Sequence, residues 1–300
     1  MEIGKFKSFV KAERPKKMLS AFELTYLSFT ELGYDKKDKQ FFIDNASQMV
    51  KKMRNESWKQ FLNDENNFSK HIYRKLVHES NLSNLNKEDA IIQFLEEYAE
   101  HVYEFSLSNT QSRRSRAGNE FEYIIEFILM GIGISLDTQG SVGSGVFETS
   151  HLAKLVDCVA PGATEYKIDK RNTSLISAKT TLRERWQEVG DEMSRTQARE
   201  MYLATLDDSI TDNVTKIIGK NNIILVTLDE YKNNFYKHSP NVISFETMIE
   251  ELLTKERIWN NYVYSEEDKR EKMNRYQEQI NKNSDKPFIV NYYEDRKRKL

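Results

Sequence analysis

The sequence holds a single cysteine, Cys158, in 300 residues. That excludes an intramolecular disulfide and any zinc site built on several thiolates. Proline is scarce too, at four residues, and only Pro15 precedes residue 108. Long helices are therefore permitted in the first third. No apolar run reaches the roughly 20 residues that a membrane helix needs. The N-terminus, Met1-Glu2-Ile3-Gly4-Lys5, lacks the apolar core of a signal peptide, and a cytoplasmic protein is expected. No glycine-rich loop runs into Lys-Ser or Lys-Thr, so nothing points to nucleotide hydrolysis. The five histidines (His71, His78, His101, His151 and His238) are scattered and form no metal-ligand pattern. Charge of one sign is also missing: 45 basic against 47 acidic residues leave a net charge of −2. A local basic groove remains compatible with that balance, because salt screens charges over about 8 Å under physiological conditions.

With 38% hydrophobic and 31% charged residues, the composition is that of a soluble globular protein of one or two domains. The first third reads as helical. Leu24, Leu27 and Phe29 belong to one amphipathic segment, and Phe41, Ile43 and Met49 to the next. Asn86 with Asp89 marks a capped helix start, followed by a stripe of Ile92, Leu95, Ala99, Val102 and Phe105. Ser112-Arg113-Arg114-Ser115-Arg116 then suits phosphate contacts at a helix N-terminus or a solvated basic turn. It leads into an apolar helix in which Glu122 is unusual, because a buried carboxylate needs a partner or a metal. Glu126 lies one turn later on that helix. Residues 133–150 read as a loop or ragged hairpin.

Leu155–Ala160, Tyr166–Ile168, Leu175–Ala178, Met201–Leu206 and Ile223–Leu228 read as strands. Helices are expected from Leu182 to Met193, Ile210 to Ile218, Phe245 to Ile258 and Lys269 to Lys282. The order describes an α/β core with a mixed sheet. The basic tail Asp295–Lys299 reads as a solvated end.

The chemistry concentrates between Asp157 and Glu192. Phosphodiester hydrolysis needs a water in line, charge neutralised on the phosphate, and help for the leaving oxygen. Carboxylates holding Mg²⁺ and a lysine supply these, and one or two carboxylates suffice for Mg²⁺. Asp157, Lys179 and Glu192 are such a set. Glu188, one turn before Glu192, is its fallback. Arg183-Glu184-Arg185 follows four residues after the lysine. Arginine binds guanine O6 and N7 with both arms, and glutamate accepts from cytosine N4. A second assignment, Asp157 with Glu165-Tyr166-Lys167, fits the ordinary acid-x-lysine pattern but lacks the adjoining triplet.

These residues together (Ser115-Arg116-Ala117-Gly118, Phe121-Glu122, Asp157, and Lys179-Thr180-Thr181 with Arg183-Glu184-Arg185-Trp186) resemble the Type II restriction endonucleases of the EcoRII/PspGI/SsoII kind. The resemblance spans roughly residues 112–230. It implies a PD-(D/E)XK restriction-endonuclease-like core, a mixed central sheet flanked by helices. It implies Asp157, Lys179, Glu192 and Glu122 as the catalytic set, with Asp157 and Glu192 on Mg²⁺. In this group the acid of the usual Glu-x-Lys motif is displaced to the following helix, which matches Ser177 and Glu192. Val156 stands where the family name leads one to expect proline. The resemblance further implies base recognition by Arg183, Glu184 and Arg185 in a palindromic CC/GG-containing site. Phosphate contacts fall to Arg113, Arg114 and Arg116. The expected partners are double-stranded DNA, a second copy in a homodimer, and a cognate DNA methyltransferase in the same system. The expected organisation is a helical region at 1–111 for dimerisation or DNA contact, a nuclease core at 112–265, and a charged C-terminal helix and tail at 266–300. Where members read odd-length sites, a flipped base needs an aromatic platform; Trp58 or Phe61 fits, as does plain core packing. A repair nuclease of the same superfamily and a non-catalytic DNA-binding protein of the same fold are the alternatives.

Overall fold

The computed structural model describes residues 1–80, 82, 84–142, 147, 152, 156–182, 187 and 198–300. The described chain divides into two compact units: residues 1–32 with 53–120, and residues 33–52 with 121–300. In chain order the helices are α1 (Ile3–Lys17), α2 (Ala21–Glu31), α3 (Lys39–Asp44), α4 (Ala46–Glu79), α5 (Lys87–Ile132), α6 (Gln139–Val142), α7 (Ala163–Ile168), α8 (Asp212–Lys220), α9 (Asp229–Phe235), α10 (Phe245–Trp259), α11 (Glu266–Lys282) and α12 (Pro287–Arg298). The strands are β1 (Asp137–Thr138), β2 (Cys158–Ala160), β3 (Ser174–Lys179), β4 (Met201–Thr205), β5 (Ile223–Thr227) and β6 (Val242–Ser244). No helix among the described residues is long and apolar enough to cross a membrane.

The first unit is helical, as its composition predicts. Ser20 accepts the amide of Glu23 to start α2, and Asn86 accepts the amide of Asp89 at 2.9 Å to start α5. The core is aromatic: Phe6, Phe61, Phe68, Tyr98 and Phe105 are all buried in it. The stripe expected on α5 is only partly correct. Ile92 and Leu95 are about half exposed, whereas Tyr98, His101 and Phe105 are buried. The core selects the face carrying the rings, about one position away from the aliphatic stripe, and His101 belongs to it through a contact with the Met1 carbonyl at 2.8 Å. The arginine-serine stretch also differs from expectation. It lies inside α5, more than three turns past the kink at Tyr98, so no helix N-terminus is there to bind phosphate.

The second unit is built on a mixed six-stranded sheet in the order β1-β2-β3-β4-β5-β6. β1, β2 and β3 pair antiparallel; β3, β4, β5 and β6 run parallel. β3 and β4 are buried at nearly every position, which is why they read as unbroken apolar runs. Leu175, Met201, Leu203, Ile223 and Leu225 share a core cluster with Val159 and Tyr166.

Three expectations are corrected. Tyr166–Ile168 is not a strand but the end of α7, which opens after Pro161-Gly162 with the Tyr166 amide on the Gly162 carbonyl. Within residues 133–150, the described part contains β1 and the short helix α6. The basic tail is not a solvated end: it belongs to α12, and Arg296 is buried, bound to Glu256 at 2.7 Å and to the Gly133 carbonyl. Most of the helix expected at Leu182–Met193 lies outside the described residues.

Candidate active site

Asp157 immediately precedes β2, and its amide donates to the Ile176 carbonyl at 3.0 Å. The β2–β3 register pairs Cys158 with Ile176, so Asp157 falls opposite Ser177. Successive side chains alternate faces, which puts Asp157, Ser177 and Lys179 on one face at one end of the strand pair. Asp157 Oδ2 accepts the Ala178 amide at 2.7 Å, the Lys179 ammonium at 3.2 Å and the Ser177 hydroxyl at 3.5 Å. Lys179 Nζ also donates to the Ala178 carbonyl at 3.1 Å. Both side chains are mostly buried, at 13% and 15% exposure. Oδ1 of Asp157 has no donor among the described residues.

Glu122 and Glu126, one turn apart on α5, present two more carboxyls to this group. Burial and then the neighbouring charge of Asp157 push Glu122 up to about 7, against the pull of Lys179. Glu126 is raised to about 8, by burial first and then by Glu122 and Asp157, with Lys282 opposing. Burial also raises Asp157, while Lys179 and the Ala178 amide pull the other way. Three acids thus share this region with Lys179, which acts on Asp157 and Glu122, and Lys282, which acts on Glu126, and Glu122 has no hydrogen-bond donor among the described residues. Such a cluster is short of positive charge. Among the described residues no group of three His, Cys, Asp or Glu is close enough to hold a metal by itself. Asp157 and Glu122 nevertheless fit a hard cation, with hard oxygens open and mutual repulsion to relieve.

The Glu165-x-Lys167 alternative falls at the far end of β2. Glu165 is buried against Lys272 and Tyr264, both at 2.5 Å, while Lys167 is exposed. Glu192, Glu188, Arg183, Glu184 and Arg185 lie outside the described residues. Upstream of the triplet, Asp207 accepts the Leu182 amide at 3.2 Å just beyond the C-terminal end of β4. Asp207 ties down the chain entering the triplet, a role that nothing in its local sequence announces.

The arginines of α5 are in different situations. Arg113 is held by both oxygens of Glu65, and Arg116 reaches the Leu19 carbonyl and lies over the Phe61 ring. Arg114 is exposed, with no partner among the described residues. Phe61 is fully buried, and Trp58, 36% exposed, packs beside it with ring centroids 5.4 Å apart.

A family model described as the EcoRII C terminal matches residues 82–249. The chain belongs to the Type II restriction endonucleases. It is 45% identical over 293 residues to the Type II restriction enzyme SsoII of Shigella sonnei, covering 98% of this chain and 96% of that one. Its structure is similar to that of metal-depleted Ecl18kI in complex with uncleaved, modified DNA. The TM-score is 0.92 and the identity 44%, over 99% of each chain. The PspGI restriction endonuclease in a substrate DNA complex has the same fold, with a TM-score of 0.58 at 15% identity, over 80% of this chain and 94% of that one. This endonuclease is accordingly a site-specific deoxyribonuclease whose sheet and flanking helices are those of its family.

Proposed function

We propose that the endonuclease cleaves double-stranded DNA with Mg²⁺ at a palindromic site containing CC/GG, leaving 5′-phosphate and 3′-hydroxyl ends. The observation that carries this reading is the Asp157–Lys179 contact at 3.2 Å beside Glu122, whose carboxyl has no donor among the described residues. Asp157 and Glu192 would hold the ion, with Glu122 as a supporting carboxylate. When bound, Mg²⁺ supplies Lewis-acid stabilisation of the phosphate charge and a more acidic water. Lys179 lies within reach of the same space and orients the attacking water or binds the scissile phosphate. Asp157 is kept in place by the amide of Ala178 on one oxygen, so its other oxygen would be available to the ion without reorganisation.

Arg183, Glu184 and Arg185 would read the C·G pairs, and Arg114, with Arg113 and Arg116 beside it, would contact phosphates. A palindromic site calls for two copies related by a two-fold axis, one per half-site. A cognate methyltransferase would protect the host's own sites in the cytoplasm. Both solved relatives named above are DNA complexes, which supports duplex DNA as the substrate here.

The test is digestion of a sequenced plasmid with Mg²⁺, wild type beside Lys179→Ala, with ends mapped. Discrete cuts at CC/GG sites that disappear in the variant are expected. Cutting that survives in Lys179→Ala would relocate the site, and cuts without CC/GG would remove the recognition assignment.

A further inference from the structure

Away from the Asp157–Lys179 end, β2 terminates in a second buried cluster of charges. Asp137, on β1, accepts the Ala163 amide at 2.8 Å and faces Arg275 at 3.5 Å. Arg275 also donates to the Thr164 hydroxyl at 2.6 Å. Glu165 takes both the Lys272 ammonium and the Tyr264 hydroxyl on one oxygen. Burial opposes the charge on Glu165, but Lys272 outweighs it and holds the carboxyl below its ordinary range. Glu165 is 1% exposed and Lys272 3%. Gly162 is squeezed between the two acids: a Cβ there would lie 2.7 Å from an oxygen of each. The cations come from one face of α11, since Lys272, Arg275 and Gln279 are spaced three and four apart. Gln279 continues the line by donating to the Ser141 carbonyl at 2.9 Å.

This arrangement is more than a helix pinned to a sheet. β2 is three residues long and β1 two, so their ladder bonds alone fix them weakly. Asp157 is carried at one end of β2, and the clamped corner Pro161–Ala163 is the other. A buried ion pair is a poor stabiliser next to well-packed apolar groups, but it admits few geometries. We propose that Lys272 and Glu165, with Arg275 and Asp137, are positioning residues that fix β2, and hence Asp157, for metal binding and DNA cleavage.

This inference rests on the proposed Asp157–Lys179 site, and the experiment separates the two. The protein would be assayed by single-turnover cleavage at saturating DNA while Mg²⁺ is titrated. The variants are Glu165→Gln with Lys272→Met, Lys272→Arg, and Gly162→Ala, which pushes on both acids without removing charge. The double variant and Gly162→Ala should cleave at least about tenfold more slowly, as small displacements of catalytic groups do. They should also need several-fold more Mg²⁺ for half the maximal rate, while Ca²⁺-supported DNA binding stays near wild type. Lys272→Arg should recover most of the rate. A rate and Mg²⁺ midpoint unchanged in both the double variant and Gly162→Ala would overturn the inference, whatever the melting temperatures. Should the double variant fail to fold, Gly162→Ala and Lys272→Arg decide alone. Wild type that does not cut, or Lys179→Ala that does, would instead defeat the underlying reading of the site.

Discussion

Removing one acid from the crowded cluster should change how stability depends on pH, and Glu122→Gln is the cleanest way to do it. Glu122 is partly buried and raised from 4.5 to about 7. At about 1.4 kcal/mol per pH unit, ionising it in the fold costs on the order of 3 kcal/mol. Coupling to Asp157 and partial solvation reduce that to about 1–2 kcal/mol. The sign follows from the direction. The folded-state value lies above the unfolded one, so this stability is fully present below about pH 4.5 and is lost as pH rises through about 7. Urea unfolding in EDTA, from about pH 5 to 8.5, should therefore show wild type losing about 1–2 kcal/mol more than Glu122→Gln. Glu126, raised to about 8 by burial first, weakens both proteins in the same direction, and the part of its shift that comes from Glu122 is lost in the variant and adds to the difference. Added Mg²⁺ should flatten the wild-type curve, because a cation replaces the proton. Parallel curves for the two proteins would refute the electrostatic account of the cluster.

Two further outcomes test other levels of the structure. In Gly131→Ala the new methyl would run into the ring of Phe42, which is fully buried and stacked on Phe288; overpacking of this kind costs about 1–3 kcal/mol, read as a lower urea midpoint, and an unchanged midpoint would deny that close approach. Arg183→Ala should lose about 1–3 kcal/mol of discrimination at one guanine, measured by competition between cognate and substituted duplexes, and an unchanged preference there would dismiss it as a base reader.

What could be read from the residues follows what each residue type does. β3, β4 and β5 were legible because strands covered on both faces must be apolar throughout. β1 and β6, at two and three residues, are too short to show a period. The end of α7 reads as a strand in the sequence because three residues of Tyr-Lys-Ile carry no helical repeat, and the Gly162 carbonyl that starts the helix is visible only in three dimensions. Charges were the blind spot. Lys272, Arg275 and Arg296 sit in sequences as polar as any solvated helix, yet all three are buried on partners far away in the chain. The same blindness explains Glu165-x-Lys167, which satisfies a motif in sequence while its acid serves Lys272.

The sheet explains why Asp157 and Lys179 meet although they lie 22 positions apart. β2 and β3 run antiparallel, so the residue where β2 begins meets the residues where β3 ends. What geometry fixes is the register, Cys158 against Ile176, together with the two-residue step from Ser177 to Lys179 that keeps both on the face of Asp157. The connecting chain, including α7, could lengthen or shorten without moving either group, provided that register held. One residue of slip would instead carry Lys179 to the opposite face. The local spacing around the lysine is therefore informative and the distance to the aspartate is not. It follows that whatever fixes β2 against β3 governs the proposed site, and beyond a three-pair ladder and the Asp157 amide, that task is shared by the core in which Val159 and Leu175 are buried and the charged corner at Gly162.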